Sequence, residues 1–383
     1  MIESKLKNNM KVFFYLPNVE SGGAENVIIS LANEFSKKDY QVVLILGKAQ
    51  GAFMYKVFHK VKIIEIGNTS ILKTAFKLYR LVSKESPDIL CVTKNHVNTV
   101  VALFTPFLKK TKVVLREANT PSIEYLNSSM YVKIIMNLSK ITYRFSDKFI
   151  AVSNGVRDDM AGFYKLKKSR IQTIYNPVIS KEFYKESNEK VSHTFFDEQT
   201  LNSKVYIFVA VGRLMPQKDY PTMIESFNQA YRINKNIRLI ILGRIEKHNF
   251  DYETVQNKID TNQLDNVIDF VGFVSNPYKY LRKANCFIQT SLFEGLPGTL
   301  VQALGLKKDI IATNCKSGPD EILDYGKYGT LVEMRNSMQI CSVMLEYANG
   351  KTNKKADNMF ISRFTLATST LSYINLFKSV LEK

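Results

Sequence analysis

Cysteine is scarce in this chain. The four present, Cys91, Cys286, Cys315 and Cys341, lie far apart. Their spacing excludes a small disulfide framework and shows no metal-ligand pattern. Three of them sit in or beside apolar runs, so buried free thiols and a cytosolic compartment are expected. Long apolar runs are also missing. None reaches the roughly 18–20 residues that a membrane-spanning helix needs. The run Val12–Pro17 is too brief for a signal-peptide core, and no small-residue cleavage site follows it. There is no repeat of solenoid period and no low-complexity segment. The Gly-x-Gly-x-x-Gly dinucleotide fingerprint does not occur at the first strand-to-helix turn, which reads Gly22-Gly23-Ala24-Glu25.

What is present is the content of a large globular protein, 383 residues with 45% apolar side chains, enough for two cores. The net charge of +18 is unevenly spread. Residues 1–185 hold 29 Lys and Arg against 14 Asp and Glu, whereas residues 186–383 hold 24 against 21. That asymmetry suggests a polyanionic partner or an anionic lipid surface, although scattered lysines also serve as a solvated surface. The stretch Met130–Lys148 mixes large apolar side chains and aromatics with cations. It fits two readings, a helix lying in a membrane interface or a core helix with basic flanks.

Short apolar runs alternate with helical periods. Val12–Leu16, Val42–Leu46, Val61–Ile66, Ile89–Thr93, Lys112–Arg116, Lys148–Ser153 and Ile171–Tyr175 read as strands. The pattern lapses over Asn176–Lys204, a polar stretch with Pro177 that reads as a linker. It resumes with Val205–Val211, Ile237–Leu242, Val267–Val271, Cys286–Thr290, Asp309–Thr313 and Thr330–Val332. Strands separated by helices imply parallel pairing. The expected fold is therefore α/β, with two doubly wound Rossmann-like domains facing a cleft, over residues 1–179 and 180–359. A tail helix over 360–383 follows.

Candidate chemistry lies where strands hand over to helices, since ligands of open α/β sheets bind there. After Cys286–Thr290 comes Ser291-Leu292-Phe293-Glu294-Gly295-Leu296-Pro297-Gly298-Thr299, then an apolar helical pattern. A helix start there offers unpaired backbone N–H groups to a diphosphate or sugar. Val211–Tyr220 places Arg213 and Lys218 five residues apart in an equivalent loop, where two cations can hold phosphate oxygens as negative charge develops. Gly22 and Gly23 permit a tight turn against a ligand. Gly243 ends another strand, and Phe273 and Val274 follow Gly272, where an aromatic can hold a flat base.

Read in order, these segments resemble glycosyltransferase family 4, retaining sugar-nucleotide transferases of the GT-B fold. The matching elements include Gly22–Glu25, Ala151–Val156, Ile174–Val178, Gly212–Leu214 with Gln217–Asp219, Gly272-Phe273, Glu294–Pro297, Ser317–Ile322 and Arg363-Phe364. They span nearly the whole chain. The resemblance implies a first domain that takes the acceptor, a second that takes the nucleotide sugar, and a tail helix that returns to the first. It implies that Arg213 and Lys218 hold the donor diphosphate and that Glu294 contacts the donor sugar. Gly295, Leu296, Pro297, Gly298 and Thr299 then flank that sugar. No cofactor and no metal are expected.

The family pattern Glu-x7-Glu is broken, because the second position is Gln302. An amide can still bond ribose hydroxyls, though more weakly than a carboxylate. Many members also carry a histidine after the strand corresponding to Lys112–Leu115. Here that segment reads Arg116-Glu117-Ala118-Asn119-Thr120-Pro121, and His96, after an earlier strand, is the candidate in its place. Gly22, Gly23, Glu117 and His96 are thus the acceptor-side candidates. The expectation is a UDP-sugar donor and a growing glycan or polyisoprenyl-diphosphate-linked acceptor, with no nucleic acid. The basic half would rest on an anionic membrane surface at the cytoplasmic face. The competing expectation, motivated by Gln302 and the missing histidine, is a non-catalytic GT-B partner subunit that binds glycan or stabilises a transferase.

Overall fold

The computed structural model describes residues 10–382 except 20–21, 52, 68–69, 94, 203 and 245–249. The chain divides into two compact units, residues 1–178 with 363–383, and residues 179–362.

The first unit is built on β1 (Lys11–Leu16), β2 (Gln41–Leu46), β3 (Lys62–Glu65), β4 (Ile89–Thr93), β5 (Lys112–Glu117), β6 (Lys148–Ala151) and β7 (Ile171–Thr173). Their order in the sheet is β3-β2-β1-β4-β5-β6-β7, all parallel. Central strands of a parallel sheet are covered on both faces, which is why β1, β2 and β4 are continuous apolar runs. Phe14 of β1 stands opposite Leu44 on one side and Cys91 on the other. The edge strand β3 is largely exposed and carries Lys62 and Glu65, which discourage a further strand from pairing.

One face of this sheet is closed by the helix Gly23–Lys37 and the terminal helix Leu366–Leu381. Phe14, Phe35 and Phe377 meet there, with Phe35 at 5.7 Å from each of the other two rings. The tail is tied at its entry as well. Val178 N–H donates to Phe364 O (3.0 Å) and Ser369 Oγ to Tyr175 O (2.7 Å). All four cysteines are free and buried.

The second unit contains β8 (Tyr206–Val211), β9 (Ile237–Leu242), β10 (Ile268–Gly272), β11 (Cys286–Gln289), β12 (Asp309–Thr313) and β13 (Thr330–Val332). The order is β10-β9-β8-β11-β12-β13, again all parallel. In each unit the first strand has neighbours reached by chain paths running in opposite directions. The switch points are therefore β1/β4 and β8/β11, and the crevice beyond their carboxyl ends is where such sheets take ligands.

One expectation fails. The stretch 176–204 is not an unstructured linker, because it holds helices Lys181–Ser187 and Thr194–Leu201, both in the second unit. Each is capped at its start, Ser180 Oγ accepting from Phe183 N–H and His193 Nδ1 from Phe195 N–H. Phe183, Phe195 and Phe196 are buried. Two helices of seven and eight residues are too short to show a helical period.

Candidate active site

The switch point of the second sheet brings together the loop after β8 and the loop after β11. Three backbone-directed contacts bind them. Leu292 N–H donates to Gln217 O (2.8 Å), Gln217 Nε2 to Phe293 O (2.7 Å), and Thr290 Oγ1 to Lys218 O (2.8 Å). Asp219 closes the first loop in the left-handed region, φ +47°, before the helix Tyr220–Ile233 begins. Lys218 is thereby turned across the carboxyl end of β8. Gly212 leaves room for it, since a Cβ there would stand 3.1 Å from Lys218 Cε.

Lys218 Nζ meets Glu294 Oε1 at 2.6 Å. Ser291 Oγ donates to the same oxygen at 2.7 Å, and Gln217 Nε2 lies 3.5 Å from Oε2. The lysine side chain is 18% exposed and the glutamate 9%, so the pair is largely shielded from water. Its field is felt nearby. Burial, and then the Glu294 carboxylate, raise the Tyr220 phenol above its ordinary value, and the same two causes push the Cys315 thiol up to about 12.

A third loop closes on Glu294. Phe293 and Lys316 form a parallel bridge, and Glu294 N–H reaches Lys316 O at 3.4 Å. Ser317 and Gly318 both adopt positive φ, +65° and +102°. A Cβ on Gly318 would lie 2.7 Å from Pro297 Cδ and 3.2 Å from Gly295 O, so this close approach requires glycine. Gly295, Leu296 and Pro297 are thus clamped between loops. Pro297 caps the helix Gly298–Gly305, whose first N–H groups, including that of Thr299, have no intrahelical acceptor. Gln302 stands on this helix with Oε1 buried, and Ser317 Oγ is buried beside the clamp. Neither has a hydrogen-bond partner among the described residues. The amide of Gln289, at the end of β11, is in the same condition.

The other donor-side candidates surround this centre. Arg213 is exposed and makes no hydrogen bond or ion pair with a described residue. Gly243 lies against Gly212, where a Cβ would stand 1.9 Å from the Gly212 carbonyl oxygen. Its N–H donates to Gly272 O (2.8 Å), so this glycine joins the ends of β8, β9 and β10. Phe273 is 55% exposed beyond β10, and Val274 is half-buried beside it. Ser291, Gln217 and the Ser317-Gly318 turn lie inside segments noted from the sequence, but no contact with Glu294 could be assigned to them there. A serine three residues before a glutamate carries no signal until the strand end that aligns them is folded.

In the first unit, Gly22 caps the helix after β1, and Gly23 is its first residue. His96 stands in the first turn of the helix Asn95–Phe104 after β4, so the two flank that sheet's switch point. The His96 side chain lies outside the described residues. Glu117 is different. Its carboxyl is 2% exposed and accepts from Tyr143 Oη (2.6 Å) and Asn98 Nδ2 (3.2 Å). Burial pushes it up to about 8, against the lowering effect of those two donors. Through Oε1 it joins neighbouring helices, a structural task that the acceptor-side reading of the sequence did not include. Arg116 before it is wholly buried toward the opposite face, donating to Asn176 Oδ1 (2.7 Å).

Comparison with known proteins agrees with this architecture. The model for Glycosyltransferase Family 4 matches residues 21–181, and that for Glycosyl transferases group 1 matches residues 191–360. An uncharacterized glycosyltransferase of Methanocaldococcus jannaschii is 30% identical over 282 residues, 69% of this chain and 68% of its own length. A Campylobacter jejuni protein is 27% identical over 379 residues, covering 93% of this chain and 98% of that protein. It is named N-acetylgalactosamine-N,N'-diacetylbacillosaminyl-diphospho-undecaprenol 4-alpha-N-acetylgalactosaminyltransferase. Anabaena HepE, crystallised with UDP, superposes with a TM-score of 0.78 at 19% identity, over 97% of this chain and 100% of that one. That likeness establishes the fold. The paired parallel sheets, the loops meeting at the β8/β11 switch point and the two matched models lead to one assignment: the chain belongs to glycosyltransferase family 4 and has the GT-B fold.

Proposed function

We propose that this protein is a retaining glycosyltransferase that moves a hexose or N-acetylhexosamine from a UDP-sugar to a lipid-linked saccharide or growing surface glycan. The observation that carries the reading is the shielded Lys218–Glu294 pair at the β8/β11 switch point, with Arg213 exposed on the same loop as Lys218. Lys218 and Arg213 would receive the charge that grows on the departing diphosphate, a task that preorganised cations perform without a metal. Glu294, oriented by Ser291 and Lys218, would accept hydrogen bonds from donor-sugar hydroxyls. The free N–H groups at the start of the helix Gly298–Gly305 face the same region of charge. The buried, unpaired Gln302 Oε1 suits a ribose hydroxyl, and Phe273 and Val274 the base.

In this mechanism the acceptor oxygen forms its bond to the anomeric carbon on the face from which the diphosphate leaves. The acceptor's proton passes to the departing phosphate oxygen, so no protein nucleophile is needed. The C. jejuni relative is named for a diphospho-undecaprenol-linked acceptor, which supports a lipid-linked substrate here. A non-catalytic subunit has no use for a shielded cation–carboxylate pair at a ligand crevice.

The test is incubation of purified protein with a panel of UDP-hexoses and UDP-N-acetylhexosamines, with and without membrane-extracted acceptors. Release of UDP and an α-linked product are expected from an α-linked donor. Neither hydrolysis nor transfer from any donor, together with no calorimetric binding of UDP at millimolar concentration, would sink the reading in favour of the scaffold.

A further inference from the structure

The helix Met130–Thr142 and the turn Tyr143–Phe145 after it have three distinct faces. Met136, Ser139, Thr142 and Tyr143 point inward. Two polar contacts fix that face. Ser139 Oγ lies 2.7 Å from Thr99 Oγ1, and Tyr143 Oη donates to the buried Glu117. The helix cannot roll to bury its other side without breaking both.

The opposite side carries Tyr131, Ile134, Leu138, Ile141 and Phe145, spaced by three and four residues, with Met130 beside them. All are between 41% and 73% exposed. At 3.6 residues per turn they fall within an arc of roughly 100°. Scattered exposed apolar residues are ordinary, but a continuous stripe of six large ones is an interaction surface. Leu126, 70% exposed, extends it on the helix just before.

The third face supplies charge. Lys133, Lys140 and Arg144 run along one shoulder of the stripe, and no Asp or Glu occurs between Glu124 and Asp147. An apolar stripe bordered by cations is the pattern of a helix lying in the plane of a lipid interface. A second copy of this chain suits it poorly. Two such shoulders would set cation against cation, and the stripe spans only about two heptads, short of the three or four that a coiled coil sustains.

We propose that this outward stripe of the helix Met130–Thr142 docks in the headgroup region of an anionic bilayer, its cations on lipid phosphates. The inference deepens the lipid-linked acceptor reading by naming the surface that brings the enzyme to its substrate. Its test needs no sugar transfer, so the two stand or fall separately.

The chain contains no tryptophan, so one introduced side chain reports alone. Ile134→Trp in the full-length protein should shift its emission to the blue on vesicles of phosphatidylcholine with phosphatidylglycerol. Leu371→Trp is the control. It is 58% exposed on the terminal helix, which covers the other face of the sheet, since Arg116 and Glu117 point to opposite sides. It should not shift. In co-sedimentation, Ile134→Ser with Ile141→Ser should weaken vesicle binding by about tenfold or more. Lys140→Gln and Arg144→Gln should each weaken it by about fivefold on anionic vesicles and little on neutral ones. Unchanged melting and UDP binding establish that the variants are folded.

Absence of wild-type binding to the anionic vesicles overturns the proposal, as does an equal shift at both tryptophans. A wild-type dimer that the double serine variant dissolves, without any vesicle binding, assigns the stripe to a second copy instead.

Discussion

Lys218→Ala tests the core of the proposed site, because the structure separates two consequences of the change. Lys218 Nζ lies 2.6 Å from Glu294 Oε1, closer than Ser291 or Gln217 comes to this carboxylate. Removing it takes one preorganised charge from the developing diphosphate, and losses of this type reduce turnover by about 10²–10³-fold, or about 2.7–4 kcal/mol in the barrier. It also takes that cation from the shielded Glu294 carboxylate, while Ser291 at 2.7 Å and the Gln217 amide at 3.5 Å remain in place. Breaking a fully buried pair costs about 3–5 kcal/mol. The lysine here is 18% exposed and Ser291 remains, so the stability loss belongs at or below the low end of that range. For a unit of this size, a loss of that order lowers the melting temperature by up to about 10 °C. The double variant Lys218→Met, Glu294→Gln removes both charges together. It should recover most of the stability and none of the turnover. The assay is kcat for UDP release from a saturating UDP-sugar, beside thermal melts of wild type and both variants. A Lys218→Ala enzyme within about threefold of wild-type kcat, or a double variant that regains turnover, would refute the assigned role.

Three further outcomes follow from particular contacts. Gln302→Glu should leave turnover intact and tighten UDP binding by calorimetry, because a carboxylate accepts ribose hydroxyls more strongly than an amide; loss of UDP binding would mean the ribose lies elsewhere. Gly243→Ala should cost about 3 kcal/mol or more in urea denaturation, since the new Cβ meets the backbone of Gly212 at 1.9 Å rather than a side chain that can move. A wild-type midpoint would contradict that packing. Glu117 gives a pH signature. Its carboxyl is raised in the folded state to about 8 from an ordinary 4.5, so the native protein holds the extra proton between those values. Its contribution is complete below about 4.5 and is lost progressively as pH rises toward 8. Glu117→Gln has no such proton to lose, and its stability should fall less over that window. Parallel wild-type and variant curves between pH 5 and 8 would exclude the assignment.

How much of this was legible in the sequence depends on where each residue's partners lie along the chain. A central parallel strand is covered on both faces, so β1, β2 and β8 announce themselves as apolar runs whatever their neighbours. Helices of seven or eight residues at 181–201 offer no period, and their caps, Ser180 and His193, are ordinary polar residues until a helix follows them. Arg213, Lys218 and Glu294 were visible as charges at strand-to-helix turns, but the direct Lys218–Glu294 contact spans 76 residues and exists only because β8 and β11 are adjacent.

The same reasoning explains Glu117 and the helix it supports. The end of β5, Arg116-Glu117, has the composition of a solvated strand end, yet both side chains are buried on opposite faces of the sheet. Composition could not divide Met130–Lys148 between core and surface either, because both faces are rich in large side chains. What divides them is the polar detail on the inner face, Ser139 against Thr99 and Tyr143 against Glu117. Those bonds set the rotation of the helix, and the rotation decides that Tyr131, Ile134, Leu138, Ile141 and Phe145 face outward. A carboxyl that looked like an acceptor contact thus helps aim the surface that the structure assigns to lipid. Glu117→Gln, which can still accept from Tyr143, should therefore keep vesicle binding, whereas Tyr143→Phe with Ser139→Ala, which removes both inner contacts, should weaken it without touching any residue of the stripe.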